Sequence, residues 1–342
     1  MSVVNISKVI KRVQSLGLYF KIYILDWIFV FLLVLSMAYI QAFVEPFKRR
    51  FSVFDHSISY PHIGNDQQYS DLELFLYTVF VPLLIIILII IKKSKLSVFK
   101  FLNFLRFEFN NNNSNNINNN NNNNQIYHLF QITMLSFALS ITLTGFLTEF
   151  LKVNIAKLRP DFLARCGVDP KGVLSDIDQA QLEDISICTK PFGEAVFQDG
   201  FKSCPSGHSS ISFAGLSFLF YWLNGQFQLY SRTQQQSSSS SQAASSNSSK
   251  DSRDQIVVLR YKSMVYKLLA SSPIIFALQV AISRSQDYRH DKIDILSGVS
   301  LGLICSTIVY FHFFPSLSST DSDLPIDVNN YKLLDDERGL PL

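Results

Sequence analysis

The sequence predicts an all-α, polytopic membrane protein with six transmembrane helices. Three observations predict it. Hydrophobic residues make up 48% of the 342 residues, with 30 Phe and 14 Tyr, while charged residues reach only 17%. A soluble globular chain carries about 25% charged residues. The apolar residues are gathered into long runs, and six of these approach or exceed the roughly 20 residues that one helix needs to cross a hydrocarbon core.

The six expected spans are Trp27–Val44, Leu74–Ile91, Ile126–Phe150, Pro205–Asn224, Met264–Ile282 and Ile293–Phe314. The second carries no charge and one interior proline, Pro82. The third is charged only at Glu149, and the fourth has a polar first third. Any one run can be a buried soluble helix, but an uncharged run of full length argues against that. The first apolar stretch starts late and is too long for a signal-peptide core, so it is expected to remain as an anchor. The net charge of +3 is small and spread out, which gives no argument for nucleic-acid binding. Four cysteines are too few for a disulfide scaffold.

Two low-complexity tracts interrupt the chain. Asn110–Asn124 is nearly all Asn, and Gln234–Ser249 nearly all Ser, Gln and Ala. Neither buries enough apolar surface to offset its ordering entropy, so disordered loops are expected at about 107–125 and 231–255. The expected organisation is a tail at 1–26, a membrane domain at 27–315 and a second tail at 316–342. Basic residues near the spans orient the chain. Lys8, Lys11, Arg12 and Lys21 precede the first span. Lys92, Lys93, Lys95, Lys100 and Arg106 follow the second, and Arg232, Lys250, Arg253, Arg260 and Lys262 follow the fourth. Six spans put these segments on one side, expected to be cytosolic with both tails. Lys48, Arg49 and Arg50 are a minority counter-signal. Segments 45–73, 152–204 and 283–292 then face the lumen or exterior.

Three polar clusters fall on that second side, at helix ends. In the first, Lys152 and Arg159 are seven residues apart, two turns of a helix that Pro160 would end. Two cations on one face make an anion clamp, and Arg binds phosphate oxygens bidentately. In the second, Pro205 suits the first turn of a helix. Ser206, Gly207 and His208 would then present free backbone N–H groups. Gly207 lets an anion approach the backbone, and His208 holds a proton near neutral pH. A capped helix start with an incidental His is the plainer alternative. In the third, Ser283-Arg284 adds a cation, and His290 and Asp294 are spaced to face each other on a helix. The carboxylate can accept the Nδ1 proton and leave Nε2 free as nucleophile or base. An exposed ion pair, or a zinc site, are the alternatives. Cations, helix-end amides and two histidines together suit phosphoryl transfer without a metal.

The three clusters resemble the signature of the type 2 phosphatidic acid phosphatase superfamily, which also holds vanadium haloperoxidases. That signature reads K-x6-R-P, then P-S-G-H, then S-R-x5-H-x3-D, and every fixed position matches in order. The stretches Pro46–Pro61 and Arg159–Cys166 resemble its lipid phosphate phosphatase and diacylglycerol pyrophosphate phosphatase branch. The resemblance implies a six-helix bundle, an integral membrane location, a lipid phosphate substrate, and no cofactor or divalent metal. It implies that His290 is the nucleophile forming a phosphohistidine, that Asp294 orients it, and that His208 is general acid and then base. It implies that Lys152, Arg159, Ser206, Gly207 and Arg284 hold phosphate. A phosphatase of soluble phosphate esters and a catalytically inactive lipid-phosphate-binding protein are the alternatives. The preferred lipid, the membrane (plasma membrane or endomembrane) and homo-oligomerisation stay open. Cys166, Cys188 and Cys204 share one segment expected in an oxidising compartment. Their pairing is open; Cys166–Cys188 is the expectation, because tying down Cys204 would constrain the phosphate-binding turn beside it. Cys305, inside the sixth span, is expected to stay reduced.

Overall fold

The computed structural model describes residues 6–64, 66–94, 117–168, 182–230 and 251–326. Its helices are α1 (Ile6–Phe43), α2 (Asp71–Ser94), α3 (Ile117–Ile155), α4 (Phe162–Cys166), α5 (Glu194–Asp199), α6 (Gly207–Gln226), α7 (Asp251–Gln286) and α8 (Lys292–Phe313). Among the described residues there is no strand, only an isolated bridge between Phe51 and Glu183.

Among the described residues, five segments are long and apolar enough to cross a membrane: Tyr23–Phe43, Asp71–Ser94, His128–Ile155, Met264–Gln286 and Lys292–Phe313. The sixth expected span, now α6, is not among them. The reason lies in its surroundings. It packs against α2, α3, α7 and α8, and buries Ser209, Ser210, Ser212, Ser217 and Asn224 along with Phe213, Phe218 and Trp222. A helix wrapped by other helices need not be apolar all round. Its hydroxyls bond inside the bundle, as Ser210 Oγ does with Thr148 Oγ1 at 2.8 Å, and Ser212 Oγ donates to the Ser209 carbonyl. The Trp222 indole N–H donates to Thr133 Oγ1 at 3.2 Å.

Two prolines sit inside helices, and each frees a carbonyl four residues earlier. At Pro273 of α7 the freed carbonyl is that of Leu269, which accepts the Ser272 hydroxyl at 2.8 Å. At Pro82 the helix widens into a π-turn over Leu76–Phe80. The freed Thr78 carbonyl lies so close to Gly215 of α6 that no side chain fits there. Glycine also sets the α6–α8 crossing. A Cβ on Gly298 would lie 2.5 Å from the Ser206 carbonyl oxygen, and one on Gly302 would collide with the Ser210 carbonyl oxygen. Small residues let helix backbones meet where lipid offers no hydrophobic drive for association.

Several helices start earlier than expected. α1 covers most of the expected 1–26 tail, α3 takes in Asn118–Asn124, and α7 begins at Asp251. Once a helix is nucleated, each added residue gains a backbone hydrogen bond, so polar flanks propagate from a stable span. The rest of both low-complexity tracts, and the tail from 327 onward, lie outside the described residues.

The three segments expected on one side do gather at one end of the bundle. Tyr60 N–H donates to the Pro160 carbonyl at 2.9 Å, Ser203 N–H to the Lys157 carbonyl at 3.1 Å, and Gln68 N–H to the Asp287 carboxylate at 3.1 Å. A small apolar core of Phe51, Val53, Ile58, Phe162, Leu163, Phe197 and Phe201 holds this cap together. A Cys166–Cys188 disulfide closes it, as expected, while Cys204 and Cys305 are free and buried.

The α6–α8 contact predicts that Gly302→Leu destabilises the bundle by about 1–3 kcal/mol or more through overpacking. Thermal unfolding in detergent should show a lower midpoint or loss of the monodisperse species.

Candidate active site

Lys152 occupies the last turn of α3, paired with Glu149 at 2.8 Å. Its Nζ lies against Gly207, where an added Cβ would be only 3.0 Å away. The first two clusters therefore touch, and the glycine makes room for the ammonium.

Arg159 is not on that helix. α3 ends at Ile155, because Ala156 turns into the left-handed region at φ 46°. The chain from Lys157 onward then pairs with residues 200–203 instead, Arg159 N–H donating to the Gly200 carbonyl at 2.9 Å. The expectation that Pro160 ends the helix, with both cations on one helical face, is corrected to this turn. Lys152 and Arg159 reach the same site from different directions.

Arg159 is 4% exposed, and its contacts define the centre. Nε donates to the Asp199 carbonyl at 2.9 Å and Nη2 to Asp199 Oδ1 at 2.8 Å. Nη1 points at His290 Nε2, 3.3 Å away. A guanidinium has only donors, so Nε2 is the acceptor and the neutral ring carries its proton on Nδ1. Burial, then the charges of Arg159, Lys152 and Arg289, hold the His290 imidazolium well below its usual range. The site keeps His290 neutral, with its Nε2 lone pair facing a cation.

The partner expected at Nδ1 is near but not bonded. Asp294 Oδ2 is 3.9 Å from Nδ1, and Nδ1 is buried without a hydrogen bond. His290 lies before α8, whose N-cap is Asp291, so the two residues do not share a regular helical face. Asp294 is the third helical residue and closes a capping box with Asp291. It also accepts Ser203 Oγ at 2.5 Å and Lys157 Nζ at 2.9 Å.

Ser206 is the N-cap of α6, so Pro205 stands just before the helix rather than in its first turn. Ser206 is fully buried, and its N–H donates to the Asp294 carbonyl at 2.9 Å, joining the second cluster to the third. The first-turn amides that follow have no intrahelical acceptor. His208 Nε2 lies 3.1 Å from the Tyr69 carbonyl oxygen. Arg284 is 1% exposed, bonded to Asp287 at 2.8 Å and to Gln67 Oε1 at 3.3 Å. Residues 67–69, before α2, thus line the site beside His208 and Arg284.

The structure assembles every residue that the motifs single out. It also adds groups to which sequence reasoning assigned no role. Asp199 gathers Arg159, Arg165 at 3.0 Å and Arg289 at 3.4 Å. Burial opposes its ionisation, but those three guanidiniums outweigh it and hold the carboxyl well below the usual range. Arg165 continues to Asp161 at 2.9 Å, which receives His62 Nδ1 at 2.7 Å. Nothing local marks Asp199 in the sequence; the only hint is that buried arginines need a counter-charge. Among the described residues, no group of three or more His, Cys, Asp or Glu is arranged to hold a metal ion.

The electrostatics predict that His290 in the free protein titrates well below an ordinary imidazole. Removing one opposing charge by Arg159→Gln should move its titration up toward the ordinary value. Imidazole ¹⁵N shifts in detergent micelles measure both, and a wild-type His290 titrating near 6.5 would refute the assignment.

Known proteins are similar to this chain in sequence. Diacylglycerol pyrophosphate phosphatase 1 of Saccharomyces cerevisiae is 28% identical over 323 residues, 92% of this chain and 91% of that protein. Lipid phosphate phosphatase 2 of Arabidopsis thaliana is 30% identical over 182 residues, 53% of this chain and 51% of that protein. The chain thus spans about half the length of the plant relative. No solved structure matches it. Residues 133–316, from α3 to just past α8, match the family model of the PAP2 superfamily, and that range contains all three clusters. This chain, with its site built from those clusters, belongs to the PAP2 superfamily.

Proposed function

We propose that this chain is a multi-pass membrane phosphatase that removes phosphate from lipid phosphates through a phosphohistidine on His290. One observation carries the reading: a buried neutral His290 presents Nε2 toward Arg159, at a site that also gathers Lys152 and the first turn of α6. A lone pair facing cations suits a nucleophile whose target arrives as an anion. The names of the relatives, a diacylglycerol pyrophosphate phosphatase and a lipid phosphate phosphatase, support the substrate class.

In this mechanism Lys152, Arg159, Arg284, Ser206 and the Gly207 amide hold the phosphate oxygens. They stabilise the charge that the transition state spreads over those oxygens. Nε2 of His290 forms a bond to phosphorus as the bond to the leaving oxygen breaks. His208 gives that oxygen a proton, because the arriving anion offsets the neighbouring cations and favours imidazolium. His208 then takes a proton from water, whose oxygen attacks phosphorus. The P–N bond breaks, and inorganic phosphate leaves. Asp294 orients His290. Lys157, Arg159 and Arg289 around His290 and Asp294 favour an anion over a metal ion there, so activity should survive excess EDTA.

The reading includes α6 as a sixth crossing and places the site on the lumenal or extracellular face. Sequons at Asn5, Asn112 and Asn247 then lie in the cytosol, all outside the described residues. Digestion with an N-glycan-removing enzyme should leave gel mobility unchanged. A shift traced to any of the three would reverse the sidedness.

The two histidines are separable by leaving group. A lipid alkoxide needs a proton in the transition state, and a nitrophenolate needs it far less. His290→Ala should abolish turnover of both phosphatidate and p-nitrophenyl phosphate. His208→Ala should lose about 10²–10⁴-fold on phosphatidate and much less in the p-nitrophenolate burst, while accumulating acid-labile phosphate. A burst from His290→Ala that is absent from His208→Ala would show the two roles to be reversed.

A further inference from the structure

We propose that Lys157 is a positioning residue for the nucleophile: its ammonium fixes the buried Asp294 carboxylate where it receives the Nδ1 proton of His290. The proposal rests on the phosphohistidine reading above and deepens it. Lys157 lies between Lys152 and Arg159 but outside the fixed positions of the signature.

The geometry around Asp294 carries the inference. Its side chain is fully buried, and a buried carboxylate stays charged only when it is paired and hydrogen-bonded. Oδ2 accepts the Ser203 hydroxyl at 2.5 Å and the Asp291 N–H at 3.3 Å. Both donors are neutral. The single cation bonded to this carboxylate among the described residues is Lys157, at Oδ1, 2.9 Å away. The same ammonium bonds the Asp291 carboxylate, the N-cap of α8. The Lys157 carbonyl accepts the Ser203 N–H at 3.1 Å, just before the second cluster. Lys157 thus joins the end of the first cluster to the entry of the second and to the helix start of the third.

The need for that joint follows from His290. Its ring carries the proton on Nδ1, and Nδ1 has no acceptor at hydrogen-bond distance. Asp294 Oδ2 waits 3.9 Å away. When Nε2 bonds to phosphorus, the ring becomes cationic, and Nδ1–H turns into a strong donor that an ionised carboxylate satisfies best. A protonated Asp294 would supply neither the charge nor so strong an acceptor. The charged and titratable groups facing Asp294 are Lys157 from the α3–α4 connection, His290 and Asp291 from its own side, and the Cys204 thiol before α6. Burial alone would weaken the Lys157 ammonium, but Asp291 and Asp294 together raise its pKa. Lys157 therefore stays a cation across the neutral range.

The test uses the full chain in detergent with p-nitrophenyl phosphate and a short-chain phosphatidate. Lys157→Met removes the charge at similar length, and Lys157→Arg keeps it. Lys157→Met should lower kcat on both substrates by about 100-fold, less than the roughly 10⁴-fold that loss of an orienting carboxylate brings elsewhere. KM and inhibition by inorganic phosphate should stay within about threefold, since the phosphate cradle is intact. Lys157→Arg should restore most of kcat. Unchanged kcat in Lys157→Met, or equal loss in both variants, would overturn the proposal. If Lys157→Met alone does not fold, the charge-balanced Lys157→Met/Asp294→Asn chain takes its place. It should match Asp294→Asn in kcat, and a further loss beyond Asp294→Asn would overturn the proposal. Wild-type protein that releases phosphate from neither ester would sink the phosphatase reading itself.

Discussion

The site depends on keeping several cations together in a place with little water. Arg159, Arg165 and Arg289 converge on one carboxylate, that of Asp199, while Lys152 and Arg284 approach from other helices. Two unit charges about 4 Å apart repel by about 4 kcal/mol at an effective dielectric near 20. Asp199 offsets part of that repulsion, and in doing so it fixes direction. It takes Nε and Nη2 of Arg159 and leaves Nη1 turned toward His290. The two remaining cations have their own carboxylates, Glu149 for Lys152 and Asp287 for Arg284, and Arg165 also reaches Asp161. The cluster is pre-ordered with its charge partly neutralised, and under the proposed function an incoming phosphate would complete the balance.

That arrangement requires a rigid support, and the bundle supplies it by close backbone contact. Gly298 and Gly302 bring α8 against α6, and Gly215 brings α6 against the π-turn of α2. The same contact hands the Ser206 N–H to the Asp294 carbonyl, so the start of α6 is tied directly to the first turn of α8. The extramembrane cap does the equivalent for Arg159. Its phenylalanine core and disulfide hold α4 and α5 in place, and through them Arg165 and Asp199. Packing energy spent on glycine contacts and aromatic faces is thereby converted into positional precision at polar atoms.

The loop before α2 adds a polar wall that no helix provides. Tyr60 stacks on Tyr288 at 5.0 Å, Gln68 grips Asp287, and Tyr69 offers its carbonyl to His208. Both histidines are thus held by groups far away in the chain, His208 from residue 69 and His290 from residue 159. Each ring has its tautomer set by that remote partner: a carbonyl accepts from His208, and a guanidinium donates to His290.

Much was legible in the sequence alone. Charge-poor apolar runs showed the membrane class and five of the spans, because length and hydropathy are local properties. The three clusters named the candidate site residues that folding then brings together, because their spacing survives without any fold. The Cys166–Cys188 bridge followed from a local argument about Cys204. The tertiary structure decided what depends on neighbours distant in the chain. α6 reads as marginally apolar because its polar face meets Thr148 and other helices, and only packing reveals that partner. Arg159 leaves the α3 helix because Gly200, some 40 residues on, takes its N–H. Asp199 is an unremarkable acid until three arginines fold around it. Lys157 is one basic residue among many until folding sets it beside Asp294, 137 positions away. Local pattern can name the groups that carry charge; only the folded chain determines which opposite charge each one meets, since that energy depends on distance and burial rather than on order.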